Sequence, residues 1–484
     1  MAGSWLQRQA QLHPERPAFY WQNKGWSFAA LQAEVQQYAA YYEAHLIHSQ
    51  RVAVFSDNKP EMVFTILALW ELGIELQCLN TRLTNKELAF QLQDADCQLV
   101  ITDSLLELDG VQLLPFGKKN TIAFQGEDRL VYRPTQIASI MYTSGTTGQP
   151  KGVPQTFDNH QASAKATQQN LSIAEDDCWL CAVPLYHISG LSIVLRMVQL
   201  GISMRLYGRF DPQTMATDLS HNKGTVVSLV SKMLKDILPY VPQTGFPGLR
   251  YILLGGGPID RSLLEQCQHK QLAVIQSYGM TETCSQVVAL PPAMATAKLG
   301  ASGIPLKGVQ LRIIAAKGKS TSARDEAHSV GEIYLKGSAI VSSYLNERGS
   351  EQWDQQGWFA TGDLGYLDEE GYLYVVSRAS ELIISGGENI YPAEVEQALQ
   401  QHPAIAEAAV VGQDNAQWGQ EVTAFVVLKE AVSKEALLES LEDTIAHYKF
   451  PRRFYQVAAL PRTASGKVIK RRLLSEERVN EIEL

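Results

Sequence analysis

The chain is poor in the features that several protein classes need. Cysteine is sparse: Cys78, Cys97, Cys178, Cys181, Cys267 and Cys284 are the only six in 484 residues. They are too scattered for a disulfide framework. Cys178 and Cys181 form a C-x-x-C in "CWLC", but no second pair completes a zinc site. The stretch "CWLCAVPL" reads as a strand, where positions three apart face opposite sides, so buried, reduced thiols are expected. There is no excess of positive charge. With 42 Lys and Arg against 51 Asp and Glu, the net charge is −9, which argues against nucleic acid as a partner. No apolar run reaches membrane-spanning length. The best candidate, "MVFTILALWELGIELQCL", contains Glu71 and Glu75 and reads as core, so no stable membrane insertion is expected. The N-terminus "MAGSWLQRQAQLHPERP" lacks the apolar stretch of a signal peptide, so a cytoplasmic protein is expected. Internal repeats and low-complexity segments are also absent.

What is present describes an α/β protein with ample core. Hydrophobic residues make up 45% and charged residues 19%, and 484 residues call for at least two domains. "RVAVFS", "QLVITD", "ASIMYTS", "VVSLVS", "RYILLGGG" and "AVIQSYG" read as buried strands. Helical patterns lie between several of them. Residues 30–46 place Leu31, Val35, Tyr38 and Tyr42 on one face. Strands alternating with helices predict mostly parallel sheets with sites at strand ends. Near residue 378 the texture changes to strand, turn, strand, loop, helix, strand. Pro392 suits a first helical turn, and His402-Pro403 ends that helix. The remaining hundred or so residues are enough for a small α+β domain. The expected domains are 1–379 and 380–484.

One loop stands out. "YTSGTTGQPKG", residues 142–152, gathers Thr143, Ser144, Thr146 and Thr147 with Gly145, Gly148 and Lys151. No Walker A spacing fits it. The physics is related, because glycines let backbone amides approach an anion, hydroxyls add donors and the lysine supplies charge. A polyphosphate is the expected ligand.

This loop resembles the signature of the acyl-adenylate-forming enzymes, which include acyl-CoA ligases, luciferases and peptide-synthetase adenylation domains. Further motifs of that family follow in order: "PLYHISG" (184–190), "LLGGGP" (253–258), "QSYGMTE" (276–282), "TGD" (361–363), "SGGENIYPAEVE" (385–396) and "PRTASGK" (461–467). The resemblance implies a large N-terminal domain of α/β subdomains with mostly parallel sheets plus a β-subdomain, and a small mobile α+β C-terminal domain. It implies ATP, Mg2+ and coenzyme A as cofactors. A carboxylate would attack the α-phosphorus of ATP and expel pyrophosphate, and a thiol would then take the acyl group.

Roles carry over residue by residue. Thr146 and the rest of the 143–148 loop, with Lys151, would hold phosphates. Glu282 would ligate Mg2+, a hard cation suited to carboxylate and phosphate oxygens. Thr281 would contact the α-phosphate. Gly255, Gly256, Gly257, Ser277, Tyr278 and Gly279 would wall the adenine and acyl group. Asp363 would accept both ribose hydroxyls, with Arg378 as a second ribose contact. Lys467, singled out from Lys470 and Arg471 by "RTASGK", would stabilise charge as adenylate forms. His187 would gate between the carboxylate site and the thiol channel. Gly386 and Gly387 would line the pantetheine passage after the small domain rotates. The hinge departs from the common Asp-Arg-x-(Asp or Lys), reading Ser377-Arg378-Ala379-Ser380.

Within the family, "QTFDNH", "LYHISGLS", "LLGGGP" and "SYGMTETCSQ" resemble the o-succinylbenzoate–CoA ligases of menaquinone biosynthesis. Their substrate is an aryl dicarboxylic acid. One carboxylate is activated and the other needs a cation or strong donor, for which Arg196, Lys232 and Ser302 are candidates. Three alternatives remain at this level: a ligase for another aryl or medium-chain acid, a free-standing amino-acid-activating carrier-loading enzyme, or a nucleotide-binding regulator without chemistry. The sequence also leaves a homo-oligomer open.

Overall fold

The structure, a computed structural model, describes the chain apart from residues 1–3, 46–48, 118–132, 144–149, 257–260, 295–296, 315–319, 322–328, 386–387, 416, 443, 464–465, 475–481 and 484. One sheet has six strands in the order Gln112–Leu114, Leu99–Ile101, Arg51–Phe55, Glu75–Leu79, β1 (Ile137–Thr143) and β2 (Lys151–Thr156). Every neighbouring pair is parallel except the β1–β2 hairpin. Such strands are covered on both faces, so their sequences are continuous apolar runs. Glu75–Leu79 is buried at all five residues.

A second sheet has nine strands: Lys24–Ser27, Pro17–Trp21, Ser203–Leu206, Cys178–Cys181, Val226–Leu229, Tyr251–Leu254, β3 (Val274–Met280), β4 (Ser285–Ala289) and Ile304–Pro305. It is parallel in the middle and antiparallel at both ends. Cys178–Cys181 is a strand as expected, and both thiols are free. Burial pushes each thiol up to about 12, which leaves them inert. The predicted helix after residue 30 spans Phe28–His45, and Leu31, Val35, Tyr38 and Tyr42 are all buried.

Two helices carry the interior side chains of the site. α1 (Phe157–Leu171) begins at a capping box, in which Thr156 accepts from the Asn159 amide and Asn159 accepts from that of Thr156. α2 (Ile188–Leu200) starts at His187 and ends at Gly201, whose φ of +70° suits glycine at a helix end. α1 packs on α2 and on β4.

A five-stranded sheet runs Ser320–Thr321, Val309–Ile314, Gly331–Gly337, β5 (Phe359–Leu367) and β6 (Leu373–Arg378). β5 and β6 are antiparallel, with Asp363 opposite Arg378. A short turn, Ala379–Glu381, leads to strands Ile383–Ser385 and Glu388–Ile390 and to α3 (Pro392–Gln400), which has proline in its first turn. The hairpin β7 (Ile405–Asn415) and β8 (Gly419–Leu428) follows, and Arg453–Gln456 runs parallel to β8. Val395 and Leu399 of α3 seal a core with Val410, Val422 and Phe454.

Packing divides the chain into two units. The first comprises Met1–Gly256, Arg261–Gln310 and Leu335–Phe359, and the second is chiefly Leu311–Tyr334 and Ala360–Leu484.

The first unit buries an unusual carboxylate. Glu71 is 1% exposed. It accepts from the Ser4 hydroxyl at 2.9 Å and from the Gln32 amide at 3.3 Å. Burial pushes its pKa up to about 7, against the pull of those two donors. A carboxyl raised in the folded state stabilises fully below its unfolded pKa and loses that contribution as pH rises through the folded value. His160 and His187, held low by burial, tilt the profile the other way. The difference between parent and variant therefore isolates Glu71. Glu71→Gln should gain on the parent as pH rises from 4 to 8, by up to about 3 kcal/mol, read by denaturant unfolding at each pH. A constant difference would mean that Glu71 does not titrate in this window.

Candidate active site

Strands β1 and β2 are the two ends of the glycine- and hydroxyl-rich motif of residues 142–152. Thr143 closes β1 and pairs in register with Lys151, the first residue of β2. Ser144, Gly145, Thr146, Thr147 and Gly148 lie outside the described residues, as do Gly257, Gly386 and Gly387. Lys151 is 6% exposed. Its ammonium sits 4.9 Å over the Tyr344 ring and 3.5 Å from the Gln352 amide oxygen. Among the described residues no carboxylate pairs with it. A buried cation held by a π-face and an amide is charged but not neutralised.

Tyr344 also donates from its hydroxyl to Glu282 Oε1 at 2.8 Å. Glu282 lies in the one-turn 3-10 helix Thr281–Thr283 between β3 and β4, and is 7% exposed. The chain then makes a costly turn: Cys284 and Ser285 have φ of +51° and +106°, a region that non-glycine residues avoid. Side chains hold it there. The Met280 amide donates to Thr283 Oγ1, which donates to the Ser285 carbonyl at 2.7 Å. Ser163 of α1 donates to the Cys284 carbonyl at 2.7 Å. Gln155 of β2 donates to the Thr281 carbonyl at 2.7 Å and accepts from Ser139. With the one Ser139 proton on Gln155, His160 donates to Ser139 from Nε2, at 2.9 Å. Burial, with Arg196 adding to it, lowers His160 to about 3, so the ring is neutral.

Ser277 donates to the Leu254 carbonyl at 3.0 Å, which sets it beside Gly255; a Cβ there would lie 3.2 Å from Ser277 Oγ. Gly256 has φ of +89°. Tyr278 and Gly279 stand on β3, and a Cβ on Gly279 would overlap the Ser285 carbonyl, so glycine is required for the β3–β4 hairpin to close.

His187 caps α2 without a side-chain cap bond. Its Nε2 is buried with no partner among the described residues. Burial, then the charge of Arg82, lowers it to about 4, so it is a neutral imidazole at pH 7. Arg196, on the same helix, is 1% exposed. It donates to Ser285 Oγ at 3.1 Å and Gln286 Oε1 at 3.0 Å, stacks 4.8 Å from the Trp179 ring, and leaves Nε without a partner. No carboxylate pairs with it among the described residues. Burial alone pulls it down to about 9, still charged at neutral pH. The other two candidates differ. Lys232 is exposed and paired with Asp236 at 3.1 Å, and Ser302 is half-buried.

In the second unit, Asp363 (5% exposed) and Arg378 meet across β5–β6, Nε to Oδ1 at 2.9 Å. Lys467 sits on a tight loop: the Thr463 amide donates to the Lys467 carbonyl at 2.7 Å, and Arg462 donates to the Gly466 carbonyl. Partial burial of its ammonium lowers the Lys467 pKa, and Arg378 lowers it further, while Glu381 and Asp363 oppose this. The residue still exposes surface to solvent. Lys470, one turn on, is ion-paired with Glu381 at 3.2 Å and Glu396 at 2.8 Å.

Among the described residues no cluster of three or more His, Cys, Asp or Glu could enclose a metal. A cation of the Mg2+ class does not need one, because it binds through one or two carboxylates plus substrate phosphates. Glu282 fits that pattern.

Sequence reading missed Tyr344, Gln155, Ser139 and Lys470. Tyr344 lies 62 residues from the carboxylate it contacts, and no local pattern announces it.

Comparison with known proteins agrees with this geometry. A model of the AMP-binding enzyme family matches residues 6–345, and one of the AMP-binding enzyme C-terminal domain matches 394–467. The chain is 50% identical to the 2-succinylbenzoate–CoA ligase of Enterococcus faecalis, covering 98% of this chain and 99% of that one. It is 41% identical to that of Bacillus subtilis, over 97% of each. The B. subtilis o-succinylbenzoate CoA synthetase in complex with its acyl-adenylate intermediate matches with a TM-score of 0.92 at 40% identity, over 99% of each chain. The same enzyme with ATP and a magnesium ion matches at 0.91 and 41%, over 97% of this chain and 99% of that one. The chain belongs to the AMP-binding enzyme family.

Proposed function

We propose that this protein is an ATP-dependent, AMP-forming acid–thiol ligase that joins 2-succinylbenzoate to coenzyme A in menaquinone biosynthesis. Full-length identity of 40–50% with 2-succinylbenzoate–CoA ligases carries the reading. One carboxylate of the acid attacks the α-phosphorus of ATP, the bond to the β-phosphate oxygen breaks, and pyrophosphate leaves. The thiolate of CoA then attacks the acyl carbonyl and AMP leaves.

Each step brings anions together, so the residues must supply positive charge and alignment. Thr143, Lys151 and the hydroxyl loop hold the phosphates. Thr281 meets the α-phosphate. Glu282, steadied by Tyr344, would hold Mg2+, which screens the phosphate charge when bound. Asp363 and Arg378 take the ribose. Ser277, Tyr278 and the glycines beside them wall the adenine and acyl group, and His187 stands as a neutral gate. Arg196 suits the second carboxylate best, because it is buried, charged and has an unmet donor. Lys467 stabilises the forming adenylate, and the domain after residue 379 then turns to bring Gly386 and Gly387 to the thiol passage. The activity needs no membrane or nucleic acid, and no helix among the described residues is long and apolar enough to cross a bilayer.

A pyrophosphate-release screen across carboxylic acids tests the substrate. Turnover should be highest with 2-succinylbenzoate, and turnover of octanoate or coumarate with none of succinylbenzoate would reject it. Lys467→Ala should cut adenylate formation by roughly a hundredfold or more yet leave conversion of supplied acyl-adenylate to thioester intact. Equal loss of both half-reactions, measured separately, would refute the two-arrangement mechanism.

A further inference from the structure

The surroundings of Lys467 contain two carboxylates, and both are already taken. Asp363 is paired with Arg378 at 2.9 Å, and Glu381 with Lys470 at 3.2 Å. Among the described residues no carboxylate lies within ion-pair distance of Lys467, although Glu381 and Asp363 both act on its charge. Lys470 is itself fixed. Its side chain is 18% exposed, and it also binds Glu396 at 2.8 Å, whose same oxygen accepts from the Val410 amide. A lysine that must meet a substrate anion is useless while bound to a protein carboxylate, because the pair would have to break first. Glu381 is the carboxylate concerned, because its ion pair with Lys470 at 3.2 Å holds it against the segment that carries Lys467 three residues earlier. It ends the turn Ala379–Glu381 directly after Arg378.

We propose that Lys470 is a positioning residue: by occupying Glu381 it prevents that carboxylate from capturing Lys467, and so keeps the catalytic ammonium available. The proposal rests on Lys467 acting in adenylate formation.

A staple that merely holds the Lys470 segment to Glu396 of α3 would look similar in the structure, so the test turns on rescue. ATP–pyrophosphate exchange with 2-succinylbenzoate and thioester formation from supplied acyl-adenylate are measured for Lys470→Met, Lys470→Arg and the double variant Lys470→Met with Glu381→Gln. Lys470→Met should slow exchange roughly tenfold and spare thioester formation. Lys470→Arg should keep exchange, and adding Glu381→Gln should restore it although Glu396 still lacks its partner. Failure of Glu381→Gln to restore exchange, or equal loss of both half-reactions, would overturn the proposal. Lys467→Ala in the same assays separates the two readings: full exchange there would remove the role of Lys467 itself.

Discussion

A carboxylate and a triphosphate repel each other, so joining them calls for cations that no carboxylate among the described residues has neutralised. Three basic side chains meet that condition by different means. Lys151 rests on the Tyr344 ring and a glutamine amide. Arg196 is held by a serine, a glutamine and the Trp179 ring. Lys467 feels two carboxylates, Asp363 and Glu381, that are already paired with Arg378 and Lys470. Burying a charge without a counter-ion is unfavourable, and dipoles and ring faces offset only part of that cost. An anionic ligand relieves the remainder, so binding energy is concentrated where the substrate is charged. The lowered pKa of Arg196 records the same tension.

The second constraint is mechanical. Thr281 and Glu282 sit at the start of a turn in which Cys284 and Ser285 hold unfavourable positive φ, and it persists because the surroundings over-determine it. The donors come from β1, β2 and α1, with Ser163 on the Cys284 carbonyl and a relay from His160 through Ser139 and Gln155 to the Thr281 carbonyl. The same β-hairpin carries the phosphate-loop motif. The first unit therefore couples the hairpin that flanks the proposed phosphate loop to the proposed metal ligand through hydrogen bonds that are buried or partly buried, where geometry is held tightly.

Much of this was legible in the sequence. The apolar runs 51–56, 226–231 and 273–279 announced buried strands because parallel sheets cover both faces of a strand, and the Leu31, Val35, Tyr38, Tyr42 stripe announced its helix by period. Asp363 and Arg378 were identified separately by motif, and the structure adds that they face each other across a hairpin. What could not be read was long-range and chemically ordinary. Tyr344 looks like any aromatic until folding brings its hydroxyl to Glu282. Lys470 reads as a solvated charge in a basic tail, yet it is mostly buried between two glutamates. Arg196, on an otherwise apolar helix, could equally have been a surface charge; only its burial with no carboxylate partner among the described residues sets it apart.

The central claim is that these cations await anions from the substrate rather than from the protein. Calorimetric titration of the parent and Arg196→Met, with acyl-adenylate analogues that carry or lack the second carboxylate, tests it most directly. The account predicts that deleting the ligand carboxylate weakens binding to the parent by about 2–5 kcal/mol and barely changes binding to the variant. An equal loss in both proteins would show that Arg196 does not meet that carboxylate, and would contradict the account.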